Sequence, residues 1–130
     1  MHDKSMKSEL GVAMLGKVRE YASKLPETEE KIDGFGHMVL RVRDKSFVFM
    51  GEGENGGDPG MSIKTDKETQ QLLIGQGHFY KTPYIGQHGW VSIKADQIRD
   101  WEEIAQLIEE AYLRTAPKKL VQAYKSRNEH

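Results

Sequence analysis

The residues best suited to chemistry lie in one stretch that contains no acidic side chain. Between Glu68 and Asp96 the chain carries lysines, histidines and aromatic residues but neither Asp nor Glu. These residues are His78, Phe79, Tyr80, Lys81, Tyr84, His88, Trp90 and Lys94. Cations neutralise phosphates and rings stack on bases or wedge between them, so the stretch favours contact with nucleic acid. The alternative is a hairpin with buried rings and ordinary surface lysines, because the stretch holds only two lysines and no arginine.

The other reactive groups are poorly arranged for catalysis or metal binding. The segment Gly51–Gly56 matches G-x-G-x-x-G by letter, but a strand pattern follows where a phosphate-binding helix should begin. None of the five histidines lies three or four residues from another, so a metal site would need His78, His88 and a carboxylate to converge through folding. The chain has no cysteine and no G-x-S-x-G elbow. We therefore predict a protein that is not an enzyme, with no catalytic residue, no metal and no cofactor.

Composition limits the class of protein. The chain has 130 residues, 37% hydrophobic and 30% charged, with a net charge of −1. These values fit a single soluble globular domain over residues 1–130, and we expect residues 1–8 and 126–130 to be flexible. The first residues lack the apolar core of a secretion signal, and no run approaches the ~18 apolar residues of a spanning helix. The sequence thus predicts a cytoplasmic protein without membrane contact, and any basic surface must be a segregated patch.

Helices are predicted where apolar residues recur every three or four positions and capping residues precede them. The predicted helices are residues 9–25, a short helix from Thr65 to Ile74, residues 101–115, and a last helix that begins at Pro117. Ser8, Thr65 and Asp100 are the expected N-caps, since their side chains can accept hydrogen bonds from the first free backbone N–H groups.

Strands are predicted where apolar and polar residues alternate. They are residues 37–43, 46–50, 61–64, 79–84 and 90–94. Residues 51–60 are expected to form a Gly-rich loop, and residues 26–36 a loop with room for one short strand. The resulting order is α-β-β-β-α-β-β-α-α. Hairpins without long crossovers predict an α+β, two-layer fold in which helices cover one face of a five-stranded antiparallel sheet.

The alternation also assigns side chains to the two faces of this sheet. Met38, Leu40, Val42, Met61, Ile63, Val91 and Ile93 are expected to face the helices. The opposite face then collects Arg41, Arg43, Ser62, Lys64, Trp90, Ser92 and Lys94. These positions hold four cations and no carboxylate, which predicts a positive potential on the wet side of the sheet. The alternative is an ordinary solvated outer face, because antiparallel sheets commonly place polar residues there.

Three segments in order resemble the MmcQ/YjbR family of small bacterial proteins. They are Gly36–Phe47, Pro83–Ile93 with its P-Y-x-G-x-x-G-W-V pattern, and Asp100–Tyr112 together with Ala116–Leu120. The resemblance runs from about residue 9 to residue 121. It implies an α/β fold like that of type III secretion chaperones and a "double-wing" DNA-binding role, and it supplies no catalytic set. The residues it marks are Tyr84, Gly86, His88, Gly89, Trp90, Lys118 and Lys119. The turn Gly86–Gly89 is less basic than in other branches of the family.

Taken together, these patterns predict a DNA-binding module with two hairpin wings, around Asp44–Lys45 and Gly86–Gly89. The expected contact residues are Arg41, Arg43, Lys64, Lys81, Tyr84, His88, Trp90, Lys94, Lys118 and Lys119. Two alternatives stay open. One is a chaperone-like module that binds a protein partner through a sheet edge or an apolar patch. The other is a small-ligand pocket lined by Tyr84, His88, Trp90 and Lys94. We expect a monomer or a homodimer.

Overall fold

The computed structural model describes residues 6–34, 36–53 and 57–128. Its helices are α1 (Glu9–Ala22), α2 (Lys67–Gly75), α3 (Trp101–Thr115) and α4 (Lys118–Asn128), with 3-10 turns at Gly86–His88 and Ala95–Gln97. Its strands are β1 (Thr28–Ile32), β2 (Met38–Val42), β3 (Lys45–Gly53), β4 (Gly57–Lys64), β5 (Tyr80–Lys81) and β6 (Trp90–Lys94). Within the described ranges, every helix is too short or too polar to cross a membrane.

The strands form one antiparallel sheet in the order β1-β2-β3-β4-β6-β5. Three successive hairpins build its first four strands. The chain then crosses through α2, and β6 pairs with β4 while β5 closes the far edge. The predicted α+β class and antiparallel sheet are confirmed, but the predicted count of five strands is wrong because the sheet has six.

The additional strand is β1, in the segment expected to be a loop with room for one short strand. Its five residues, Thr28–Ile32, pair in unbroken register with β2, from Thr28 opposite Val42 to Ile32 opposite Met38. Four of the five are exposed, since β1 is an edge strand. Charged residues on an edge discourage pairing with other chains, and they leave no apolar alternation for a sequence pattern to detect.

The Gly-rich loop is also shorter than predicted. β3 continues to Gly53 and β4 begins at Gly57, with Gly51 paired to Gly60. Residues 54–56 lie outside the described residues. The G-x-G-x-x-G letters are therefore followed by a strand, as the sequence indicated, and not by the helix that a dinucleotide site requires.

The core lies between the sheet and the helices. All seven side chains predicted to face the helices are buried, and they share one cluster with Met14 and Val18 of α1 and with Ile104 and Ile108 of α3. Tyr112 of α3 is fully buried, with its ring 5.9 Å from that of Phe47. The ring of Tyr124 in α4 lies 5.7 Å from Tyr112. Because Tyr112 belongs to the helix layer, α4 lies on the helix side of the sheet.

Two of the three predicted N-caps are confirmed. Ser8 accepts from the backbone N–H of Gly11 at 2.9 Å, and Asp100 accepts from that of Glu102 at 3.0 Å. The third cap was wrong, because Asp66 caps α2 by accepting from the N–H of Thr69 at 2.7 Å. The Thr65 hydroxyl donates instead to the Gly89 carbonyl oxygen, so a tertiary contact uses the group that the sequence assigned to a local cap. Helix α1 ends at Ala22, three residues before the predicted position.

A carboxylate from β3 holds the start of α1. Glu52 accepts hydrogen bonds from the backbone N–H groups of Lys7 and Ser8, and the Ser8 hydroxyl donates to it at 2.8 Å. Burial raises the pKa of Glu52, but the hydrogen bonds from Lys7 and Ser8 together outweigh it, so the folded pKa lies below its ordinary value. Anions at a helix N-terminus are favoured by the free N–H groups and the helix dipole.

We expect Glu52→Gln to lower the free energy of unfolding by about 1 kcal/mol at pH 7, because a neutral amide loses the charge-assisted part of these bonds. A depressed folded pKa gives stability that is present above the unfolded pKa and is lost as pH falls through the folded pKa. The gap between the native protein and Glu52→Gln should therefore narrow as pH falls below the ordinary glutamate pKa of about 4.3. Urea unfolding at pH 7 and pH 3.5 measures this, and a gap that is the same at both values contradicts the assignment.

Candidate functional site

A pocket of about 690 Å³ opens on the sheet face opposite the helices. Its lining comes from the loop between β1 and β2, from β3, β4, β5 and β6, and from the loop that joins β5 to β6. None of its described lining residues belongs to α1, α2, α3 or α4. The volume falls within the ~300–1,000 Å³ typical of small-ligand sites.

Strand register builds the floor of the pocket. Phe49 of β3 lies opposite Ser62 of β4, Ser62 lies opposite Ser92 of β6, and Ser92 lies opposite Tyr80 of β5. Residues directly opposite each other in an antiparallel pair share a face, with Cβ atoms about 5 Å apart. A row of side chains therefore crosses four strands, with an aromatic ring at each end and hydroxyls between.

Three hydroxyl groups in the floor are joined by hydrogen bonds. The Ser92 Oγ lies 2.7 Å from the Ser62 Oγ and 2.8 Å from the Thr82 Oγ1. Ser92 and Thr82 are buried, whereas Ser62 is half-buried. Two bonds among three hydroxyls use two of their three protons. One proton and several oxygen lone pairs thus remain, so the floor can bind both donors and acceptors of a ligand.

We name the segment Thr82–Gly89 the wall: its first four residues, Thr82–Ile85, line the pocket, and the turn that follows them is anchored by a buried amide from α2. The Gln70 Nε2 donates to the Gly86 carbonyl oxygen at 2.7 Å and to that of Trp90 at 2.9 Å. Both the N–H and the hydroxyl of Thr65 donate to the Gly89 carbonyl oxygen. Tyr84 sits at the outer end of this wall, 96% exposed and with a left-handed backbone (φ 68°).

The rim of the pocket carries acidic groups. Asp33, Glu52 and Asp58 contribute to the lining, together with His37. The carboxylate of Asp33 accepts from the backbone N–H of His37 at 2.9 Å and lies 3.1 Å from its Nδ1. The His37 ring meets Phe49 edge-on, with centroids 6.4 Å apart. Asp33, Glu52 and Asp58 come from segments that the sequence assigned to loops, so alternation gave no sign of them, whereas His37 was assigned to the predicted strand 37–43 and not to a site.

Two residues of the predicted DNA face, Trp90 and Arg43, are engaged by other side chains. Trp90 lies on the predicted face but is only 7% exposed, and its ring packs against Phe49 at 5.0 Å. Arg43 stands in the turn after β2 with φ 50°, and its Nε donates to Glu27 at 2.5 Å. The hydrogen bond from Arg43 lowers the pKa of Glu27 despite a small opposing effect of burial. The expectation of a wet, acid-free face is therefore wrong at its rim, where the acidic groups lie, and at Trp90.

The remaining predicted residues are spread over the molecule. Arg41 and Lys64 are half-buried on their strands, and the Arg41 Nε has no hydrogen-bond partner among the described residues. The Lys94 Nζ lies 3.8 Å from an Asp58 carboxylate oxygen. Lys81 is exposed beside the wall and His88 is exposed within it, while Lys118 and Lys119 are exposed at the start of α4 on the helix side. Of the four residues predicted to line a ligand pocket, Tyr84 lines this one.

A metal centre is not formed by the parts of the chain that the structure describes. No group of three or more His, Asp or Glu side chains there is placed to hold an ion. The chemistry available in the pocket is therefore hydrogen bonding from the joined hydroxyls, contact with aromatic rings, and the electrostatic effect of the rim.

Comparison with known proteins places this fold in a family. A crystal structure of the Deinococcus radiodurans protein DR2400, described as a DUF419 domain, superimposes with a TM-score of 0.67 and 19% sequence identity, covering 87% of this chain and 86% of that one. At that identity the similarity supports the fold alone. No curated protein matches the chain. The YjbR family model matches residues 23–114, which include the pocket and its anchored wall, and the chain thus belongs to the YjbR family.

Proposed function

We propose that this domain binds a small molecule in the pocket on the open sheet face. The observation that carries the proposal is a set of three hydroxyls joined by hydrogen bonds, those of Ser62, Ser92 and Thr82, at the floor of a cavity of about 690 Å³. An apolar cavity with a few convergent polar groups is the usual form of a ligand site. Phe49 and Tyr80 flank these hydroxyls in the register, so a ligand would meet rings as well as hydrogen-bonding groups.

The backbone at Tyr84 also supports the proposal. A left-handed conformation at a residue other than glycine costs about 1–3 kcal/mol and is enriched at functional sites. Tyr84 adopts this conformation although it is 96% exposed. Burial of its own ring therefore does not compensate the free-energy cost of the backbone conformation. A ligand in the pocket would cover part of the ring.

The test is thermal unfolding against a panel of amines, carboxylates, sugars and nucleotides. A compound present at 100 times its dissociation constant stabilises by about 2.7 kcal/mol, which is a rise of about 10 °C for a domain of this size. We expect at least one such compound. Ser62→Leu should abolish its effect by placing a bulky apolar side chain on the floor beside the hydroxyls of Ser92 and Thr82, whereas Ser62→Ala should retain most of it. A flat response across the panel, or an equal response in Ser62→Leu, contradicts the proposal.

Duplex DNA is the second candidate, favoured by exposed groups beside the wall. Lys81 and Tyr84 are both exposed and only three positions apart, in the hairpin that the family resemblance marks as a wing. Lys64 lies on the same sheet face, opposite Trp90. Against this, the carboxylates of the rim would repel phosphates that approach the pocket itself.

A salt titration with labelled duplex tests the second candidate. Each lost phosphate contact should reduce the slope of log affinity against log salt by about 0.9. Lys64→Ala with Lys81→Ala should lower the slope, whereas Lys118→Ala with Lys119→Ala, the same charge change on the helix side, should not. Absence of binding at low salt, or an equal effect of the two pairs, excludes this face as a DNA surface.

A further inference from the structure

We infer that the pocket selects a small organic cation, a compound with an ammonium group, over neutral and anionic compounds of the same shape. This inference deepens the proposed function and rests on it. The property that leads to it is the charge of the lining. Among the described lining residues, the formally charged side chains are the carboxylates of Asp33, Glu52 and Asp58, and there is neither lysine nor arginine.

The described partners of Glu52 and Asp58 leave most of the charge of these two carboxylates in place. Glu52 is bound mainly by backbone N–H groups and by the Ser8 hydroxyl, which are neutral groups, and attraction to the Lys7 side chain is the smallest of the effects that lower its pKa. Asp58 has Lys94 as a counter-ion, but at 3.8 Å and with its own side chain 81% exposed. Such a long, solvated contact provides little neutralisation.

The uncharged part of the lining suits an ammonium group as well. The Ser62, Thr82 and Ser92 oxygens retain lone pairs that can accept from N–H donors. The rings of Phe49, Tyr80 and Tyr84 line the same cavity, and aromatic faces attract cations through their quadrupole. Carboxylates, hydroxyl oxygens and ring faces thus all favour a positively charged ligand. A ligand with a carboxylate or phosphate group would be repelled by the rim.

A matched set of three probes separates charge from shape. Tyramine, 4-ethylphenol and 4-hydroxyphenylacetate share a phenol ring with a two-carbon substituent and differ in carrying an ammonium group, no charge or a carboxylate. Calorimetric titration of the whole chain should give tyramine the lowest dissociation constant, on the order of tenfold below that of the carboxylate. Ser62→Leu should abolish the binding of tyramine, because the site is the pocket.

Asp58→Asn provides the test on the protein, since this exposed carboxylate holds no backbone segment through a described hydrogen bond. It should weaken tyramine binding about two- to fivefold and leave 4-ethylphenol unchanged. Asp44→Asn is the control, with the same charge change at an exposed turn residue outside the lining, where asparagine also tolerates the left-handed backbone. An equal loss in both variants would assign the effect to net charge and overturn the inference.

The outcomes also distinguish this inference from the proposed function. Should 4-ethylphenol or the carboxylate bind at least as tightly as tyramine and be lost in Ser62→Leu, the pocket binds ligands but the cation preference is wrong. Should tyramine bind equally to Ser62→Leu, it binds outside the pocket and the inference fails. Should neither these probes nor the wider panel bind the native protein, the proposed function itself fails.

Discussion

Replacing Gly89 with alanine should lower the free energy of unfolding by about 3 kcal/mol or more, the largest effect we expect from any single methyl group in this chain. Gly89 has φ 93°, a conformation that L side chains rarely adopt. A Cβ atom there would also overlap the Thr65 carbonyl oxygen, which is backbone and cannot rotate away. The Thr65 N–H and hydroxyl both donate to the Gly89 oxygen, so the two segments cannot separate without losing these bonds.

Substitutions at two other glycines separate the cost of the left-handed backbone from the cost of the steric overlap. Gly77 has φ 98° but open space where its Cβ would be, so Gly77→Ala measures the conformational cost alone, about 1–2 kcal/mol. Gly16 lies in α1 with open space as well, and Gly16→Ala should stabilise by about 0.5–1 kcal/mol. Urea unfolding of the three variants checks the order. A Gly89→Ala variant no less stable than Gly77→Ala contradicts the close approach of Gly89 to Thr65.

Gly89 also shows that a sequence pattern can predict a turn but not the distant residue that the turn contacts. The sequence marked the glycine through the family's hairpin pattern and placed a turn there, and both are consistent with its left-handed backbone. The reason for the glycine is its contact with Thr65, 24 positions earlier. Local spacing does not encode that distance, so Thr65 was assigned to a helix cap and its bond to the turn was missed.

The difference between local patterns and long-range contacts also explains which other parts of the fold could be predicted. Met61, Ile63, Val91 and Ile93 were assigned correctly to the buried face because a strand with one buried face imposes a period of two. β1 has no buried face and gave no such signal. Its existence depends on pairing with β2, which is a long-range property of the fold.

The site was harder to predict than the fold for a further reason. Phe49, Ser62 and Ser92 lie on three different strands, and only the register brings them side by side. Alternation placed Ser62 and Ser92 on the open face, but it could not show that the ends of β3 and β4 carry Glu52 and Asp58 to the same rim. The predicted positive face therefore came from counting the residues on strands while omitting carboxylates at their ends.

Replacing Gln70 with leucine should lower the free energy of unfolding by about 2 kcal/mol and should loosen the wall of the pocket. The Gln70 side chain is 7% exposed, and its amide bonds the carbonyl oxygens of Gly86 and Trp90. Leucine has a similar size but no donor, so two buried oxygens lose a partner. Each oxygen keeps one weaker backbone contact, from Gly89 and from Thr82, which limits the loss.

Gln71 supplies the matched control, because Gln71→Leu makes the same chemical change one position along α2 at an exposed site. It should alter the free energy of unfolding by no more than about 0.5 kcal/mol. Hydrogen exchange gives the local readout. In Gln70→Leu the amides of Gly86, His88 and Gly89, which bond within the wall, should exchange faster by a larger factor than those of β3 and β4.

The result bears on the pocket because Gln70 contacts the wall from outside the lining. If the wall is preorganised by this amide, Gln70→Leu should weaken binding of a pocket ligand, since the ligand must then order the segment that Gln70 holds in the native protein. Gln71→Leu should leave the affinity unchanged. A Gln70→Leu variant with rapid exchange in the wall and native affinity would show that the floor of Ser62, Ser92 and Thr82 binds the ligand without help from the wall. A variant with native exchange would show that the Thr65 contacts to Gly89 are sufficient to hold the wall.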